Sequence, residues 1–155
     1  EWPSDPIYPG LIEDLRAVAG YCLERGIKFC FETGQETPVT LLRMIEDIGK
    51  QNLGVNLDPA NLIMYGKANP VDALGILGPF LTGVHIKDGC YPVNGRELGE
   101  EKILGEGQVN IPLFLRRLAE TGYQGPLTIE REVTGEQQIL DVRAAIRYLQ
   151  EIWGE

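Results

Sequence analysis

Parallel β-strands alternating with helices, curled as part of a (β/α) barrel, is the fold class this sequence predicts. Three observations predict it. Strand-like and helical segments alternate four times. Each strand-like segment has one apolar and one polar face. The polar faces carry acids, and the chain's only histidine, at or near their C-terminal ends.

The elements follow in order. Residues 11–26, "LIEDLRAVAGYCLERG", have apolar residues at helical spacing and stop at Gly26. Residues 27–33, "IKFCFET", read as a strand. Residues 37–52, "TPVTLLRMIEDIGKQN", read as a helix with Thr37 as N-cap and Pro38 in the first helical position. "LGVNLD" (53–58) is a strand. "NPVDALGILGPF" (69–80) repeats the cap-then-proline opening with Asn69 and Pro70, weakened by Gly75 and Gly78. "LTGVHIK" (81–87) is a strand, and a long loop runs from about Asp88 to Val109. "NIPLFLRRLAETGY" (110–123) is a helix capped by Asn110. "GPLTIERE" (125–132) is the fourth strand, and residues 136–153 form a closing amphipathic helix. Strands separated by helices pair in parallel through right-handed crossovers. No linker divides the chain, so residues 1–155 are expected to form a single domain.

Strand parity is the most informative signal, because alternate side chains share a face. Lys28, Cys30 and Glu32 oppose Phe29 and Phe31. Asn56 and Asp58 oppose Val55 and Leu57. Gly83, His85 and Lys87 oppose Val84 and Ile86, and Thr128, Glu130 and Glu132 oppose Leu127 and Ile129. An open doubly wound sheet carries apolar residues on both faces. A barrel with a polar interior near its mouth matches this pattern. Glu32, Asp58, His85 and Glu130 then converge at one end of four neighbouring strands. Three carboxylates and an imidazole suit one divalent cation, Mn²⁺, Mg²⁺, Co²⁺ or Zn²⁺, better than a thiolate site does.

Bulk properties bound the alternatives. The 155 residues suffice for a real core, with 43% hydrophobic and 24% charged residues. A formal net charge of -9 argues against a nucleic-acid surface. No apolar run reaches the roughly 18 residues of a membrane span, and "EWPSDPIYPG" lacks a signal-peptide pattern. Cys22, Cys30 and Cys90 show neither metal-ligand nor redox spacing, which fits a reducing cytoplasm. "GEGQVN" lacks the lysine and the strand-to-helix setting of a phosphate loop, so Gly105 and Gly107 read as backbone turns.

The segments "FCFETGQE", "GVNLDPANL", "GVHIKDG", "LGEGQVNIP" and "GPLTIEREV" resemble the xylose isomerase-like TIM-barrel superfamily of sugar-phosphate isomerases and epimerases. The resemblance runs in order over nearly the whole chain. It implies the C-terminal portion of such a barrel, with strands five to eight ending at Glu32, Asp58, His85 and Glu130. It implies that these four bind one divalent metal, and that Glu32 and Glu130 act as base and acid on opposite sides of the substrate. The implied reaction is isomerisation or epimerisation of a sugar or sugar phosphate through a metal-stabilised ene-diolate. A dehydratase of an inosose-type ketone is the alternative within the superfamily. A non-catalytic half-barrel fragment is the alternative outside catalysis. The superfamily's apurinic endonucleases need several histidines around zinc, and here Asn61 stands where they have one. Asp88 is the expected acceptor for the second ring nitrogen of His85. Asn61, Lys87 and Arg96 are candidates for binding a sugar or cyclitol, with a salt bridge equally expected for Lys87. Gln35 and Glu36 are candidates for the rim. A half-barrel leaves two open sheet edges. This predicts either a longer natural protein that supplies the other strands or a homodimer pairing through those edges.

Overall fold

The computed structural model describes residues 2–153; residues 1, 154 and 155 of the expected domain lie outside it. Helices cover one face of a parallel four-stranded sheet, and the other face is polar. The elements are α1 (Tyr8–Leu23), β1 (Phe29–Glu32), α2 (Pro38–Ile48), β2 (Leu53–Leu57), α3 (Pro59–Met64), α4 (Pro70–Leu77), β3 (Leu81–Ile86), β4 (Asp88–Gly89), β5 (Glu101–Lys102), α5 (Ile111–Glu120), β6 (Leu127–Ile129) and α6 (Glu136–Trp153). A 3₁₀ turn, Gly78–Phe80, joins α4 to β3. The sheet order is β1-β2-β3-β6, an unclosed portion of a barrel with β1 and β6 at its edges.

Helix starts follow the capping chemistry read from the sequence. Thr37 accepts from the Thr40 amide, and Asn69 accepts from the amides of Val71 and Asp72. Asn110 caps α5 from a left-handed conformation (φ 58°), which asparagine tolerates. Helix α2 buries Leu41, Ile45 and Ile48 and stops at Gly49 in the left-handed region. Arg16 of α1 donates to the carbonyls of Asp47 and Ile48, which satisfies and charge-balances the end of α2. The core is the layer between helices and sheet, where Val55, Leu57, Leu62, Ile63, Leu77, Val84, Ile86 and Phe114 are almost fully buried.

Two features differ from the sequence reading. The segment after Asp58, to which the sequence reading gives no element, is a short helix, α3. Asp58 and Pro59 open it with the same cap-then-proline signal as α2 and α4. The expected loop of about residues 88–109 contains an antiparallel pair, β4 with β5. Its organiser is Asp88, which is 2% exposed. Oδ1 accepts from the amides of Gly89 (2.9 Å) and Val109 (3.1 Å), and Oδ2 from those of Gly105 and Gly107 (both 3.0 Å). Gly105 and Gly107 are indeed backbone turns, and a Cβ at Gly107 would overlap the Asp88 carboxylate. No helix among the described residues is long and apolar enough to cross a membrane.

The β2–β3 pairing carries a bulge. Val55 pairs with Leu81 but Asn56 pairs with Gly83, which leaves Thr82 as the extra residue. A one-residue slip changes the face of every later side chain. The bulge therefore puts His85 on the same polar face as Asn56 and Asp58. At the far side, Arg131 follows Glu130 and ties the end of β6 to Asp141 of α6 (2.8 Å) and Glu101 of β5 (2.9 Å).

Two outcomes follow. Asp88→Ala leaves buried amides without their acceptor and is expected to lower stability by about 3 kcal/mol, read from urea unfolding. Hydrogen bonds from Arg131 and Gln137 hold the Asp141 carboxyl below its ordinary range. That pairing stabilises the fold above the unfolded aspartate pKa of about 4 and is lost as the pH falls through the lower folded value. Asp141→Asn should therefore lower the urea midpoint at neutral pH and flatten its decline in acid.

Candidate metal centre

The four expected strand-end residues meet. One ligand atom from each of Glu32, Asp58, His85 and Glu130 lies within 4.8 Å of every other. His85 Nδ1 is the hub, 3.1 Å from Glu130 Oε2 and 3.4 Å from both Glu32 Oε1 and Asp58 Oδ2. Asp58 and His85 come from the two central strands and are the better covered. Glu32 and Glu130 come from the edge strands and are open to solvent, with side chains 46% and 32% exposed.

Local structure fixes each ligand. Asp58 is completely buried. Its Oδ1 caps α3 through the Asn61 amide (2.9 Å), which leaves Oδ2 to face the cluster. Thr33 clamps β1 to β2 by accepting from the Asp58 amide (2.7 Å) and donating to its carbonyl (2.9 Å). Asn61 Nδ2 donates to the Thr33 carbonyl (3.1 Å) and, at 3.4 Å, to Glu32 Oε1. Asn61 thus steadies a glutamate at the site.

Lys87 resolves toward the salt bridge. Its side chain is fully buried, with Nζ 2.9 Å from Glu130, 2.7 Å from Glu132 and 3.6 Å from Asp58. Burial alone disfavours this ammonium, but the three carboxylates outweigh it and hold the amine charged, with its pKa well above the ordinary value. Glu132, whose place in the cluster was not anticipated, also receives support. Its amide donates to both oxygens of Glu101 at 3.1 Å. Parity had put Glu132 on the polar face, and a lysine sharing that face two residues beyond His85 was the signal for a further acid.

One expectation is corrected. Asp88 does not serve His85; its oxygens are occupied by four loop amides, and it lies on the opposite strand face. The group at that nitrogen is instead Asn56, whose Nδ2 lies 2.9 Å from His85 Nε2. Arg96 is exposed in a turn held by Asn94, and no hydrogen bond or ion pair joins it to the cluster among the described residues.

Electrostatics favour a cation here. The hydrogen bond with Asp58 and the nearby glutamates raise the His85 pKa against the opposing effect of burial. Burial and the adjoining carboxylates raise that of Glu32. Burial acts to raise Asp58 too, but His85, the Asn61 amide and Lys87 prevail and lower it. Three carboxylates and an imidazole in one shell fit a hard or borderline divalent cation.

The family model of the xylose isomerase-like TIM barrel matches residues 2–152. A xylose isomerase domain protein from Planctomyces limnophilus superposes with a TM-score of 0.94 at 38% identity, covering 98% of this chain and 56% of its own. A D-tagatose 3-epimerase-like protein gives 0.75 at 24% identity, over 94% of this chain and 55% of its own. A xylose isomerase-like TIM barrel protein from Mycobacterium smegmatis, solved in complex with magnesium, gives 0.72 at 20% identity, over 98% and 52%. The chain thus spans about half the length of these relatives, and the last two show the shared fold.

Removing the buried ammonium leaves Asp58, Glu130 and Glu132 facing one another. Lys87→Met is expected to destabilise the metal-free protein by about 3–5 kcal/mol. Saturating Mn²⁺ should restore part of that loss, and paired urea unfolding curves measure both.

Proposed function

Since the chain belongs to the xylose isomerase-like TIM-barrel family, we propose that it carries the metal-binding and proton-transfer half of a divalent-metal-dependent sugar or sugar-phosphate isomerase or epimerase. The single observation that carries this is the convergence of Glu32, Asp58, His85 and Glu130 on the polar face of the sheet. The magnesium complex and the epimerase-like relative support it.

Each residue has a task in this reading. Glu32, Asp58, His85 and Glu130 hold the cation. When bound, it would supply positive charge to oxygens of the substrate and so would acidify the C–H bond of the carbon beside the carbonyl. Asp58 and His85, buried on the central strands, anchor. Glu32 and Glu130, from opposite edges of the sheet, flank a substrate lying on the polar face. One glutamate removes the proton from carbon beside the carbonyl, and the other delivers a proton from its own side. Asn61 and Lys87 hold these two carboxylates in position, which is what proton transfer at a fixed carbon requires. Isomerisation, epimerisation and dehydration share this first step. The remaining pocket wall is formed by strands that add at the open edges β1 and β6, on the same polypeptide or from a second copy.

Solvent-deuterium exchange tests the reading. The chain, alone and joined to the N-terminal half of the Planctomyces limnophilus relative, is incubated with ketohexoses, their phosphates and inosose-type ketones. Metal-dependent exchange at carbon beside the carbonyl is expected, falling at least about 100-fold in Glu32→Gln and in Glu130→Gln. Bound metal without exchange in either form, across the panel, removes the catalytic reading.

A further inference from the structure

His85 turns Nδ1 toward the three carboxylates and Nε2 toward Asn56. Among the described residues, the Asn56 amide is the only polar side chain at Nε2. In the observed arrangement the amide NH₂ faces Nε2 at 2.9 Å and donates to it. That pattern requires the ring proton to be on Nδ1, aimed at the carboxylates. Ligation through Nδ1 requires the reverse: Nδ1 bare and the proton on Nε2. An NH₂ group offers no acceptor to that proton, whereas the amide oxygen does. Turning the amide about its last bond exchanges the two.

The surroundings permit this turn. The amide oxygen points at Gly83, the residue paired with Asn56 across β2 and β3. A Cβ on residue 83 would lie 2.6 Å from that oxygen. The bulge at Thr82 is what brings a glycine opposite Asn56, and the same bulge brings His85 onto this face.

We propose that Asn56 is a positioning residue that sets the tautomer of His85. With its NH₂ toward the ring it holds the proton on Nδ1. Turned over, its oxygen holds the proton on Nε2 and leaves Nδ1 free to ligate. The inference rests on the metal reading of the site and adds to it the group that makes the histidine a competent ligand. Gly83 is the companion feature, because a side chain there would fix or displace the amide.

Zn²⁺ titration by calorimetry and ¹⁵N NMR provides the test. The chain has one histidine, so its ring signals need no assignment. In the parent, the N–H···N scalar coupling between Asn56 and His85 is expected in mildly alkaline buffer and should vanish at Zn²⁺ saturation, as Nε2 becomes protonated. Asn56→Leu, which has no acceptor, should bind Zn²⁺ about 10–100-fold more weakly. Asn56→Asp, which offers an oxygen in either orientation, should bind at least as tightly as the parent. Affinity unchanged in Asn56→Leu, an equal loss in both variants, or a coupling that persists at saturation overturns the proposal while leaving the metal centre standing. A parent that binds no Zn²⁺ overturns the metal reading and this inference with it.

Discussion

Repulsion among carboxylates gathered at one end of the sheet is the constraint around which this structure is arranged. Glu32, Asp58, Glu130 and Glu132 sit within reach of two cationic or potentially cationic groups, Lys87 and His85. Like charges at such distances in a partly desolvated setting repel by several kcal/mol. Lys87 compensates by lying buried and charged against Asp58, Glu130 and Glu132. Asp58 is further steadied because one of its oxygens terminates a helix, so a single carboxylate is shared between fold and site. A divalent cation held by Glu32, Asp58, His85 and Glu130 would complete the neutralisation. Folding and metal binding would therefore draw on the same excess of negative charge.

Register converts this chemistry into geometry. The strands of a barrel are staggered, so residues at one height come from progressively different positions along them. Glu32 pairs with Asn56, two residues before Asp58. Ile86 pairs with Ile129, which sets Lys87 beside Glu130. The bulge at Thr82 corrects the face of β3 between these pairings. Without it, Val84 and Ile86 would turn toward the polar interior, and His85 would turn into the helical layer.

Much of this was legible in the sequence because it rests on periods and caps. Alternation placed Glu32, Asp58, His85 and Glu130 on one face, and the resemblance to a known family agreed with them. Thr37, Asn69 and Asn110 announced three helices through short-range hydrogen bonds that the local sequence fully specifies. The misses share a different cause. The helix α3 carried the same cap and proline signal but was obscured because Asp58 was read as a ligand alone, whereas it also caps that helix. Asp88 was assigned to His85 by proximity in sequence, although its parity points the other way and three of its four amide partners lie 17 to 21 residues further on. Asn56 was on the right face from the start. Its role depends on a bulge across the sheet, and nothing local in "LTGVHIK" reveals that Gly83, not Thr82, stands opposite it.

The two faces of the sheet divide the labour of folding and function. The outer face is packed by helices around Val55, Leu57, Val84 and Ile86, and this layer supplies the apolar burial that drives folding. The inner face supplies little: Cys30 and Thr128 are exposed, and its upper rim is charged. Its acids share few cations: Lys87 serves Glu130 and Glu132, and Arg131 serves Glu101 of the neighbouring β5. The matching ends at Glu32, on the edge strand, whose side-chain hydrogen bond is the long one from Asn61. Glu32 is thus the least constrained ligand and the one nearest to any strands added beyond β1. A cation, or a substrate held by one, would order it most. The open edge and the least constrained of the four site residues are therefore the same place, and Glu32 would couple a wall added beyond β1 to a bound cation.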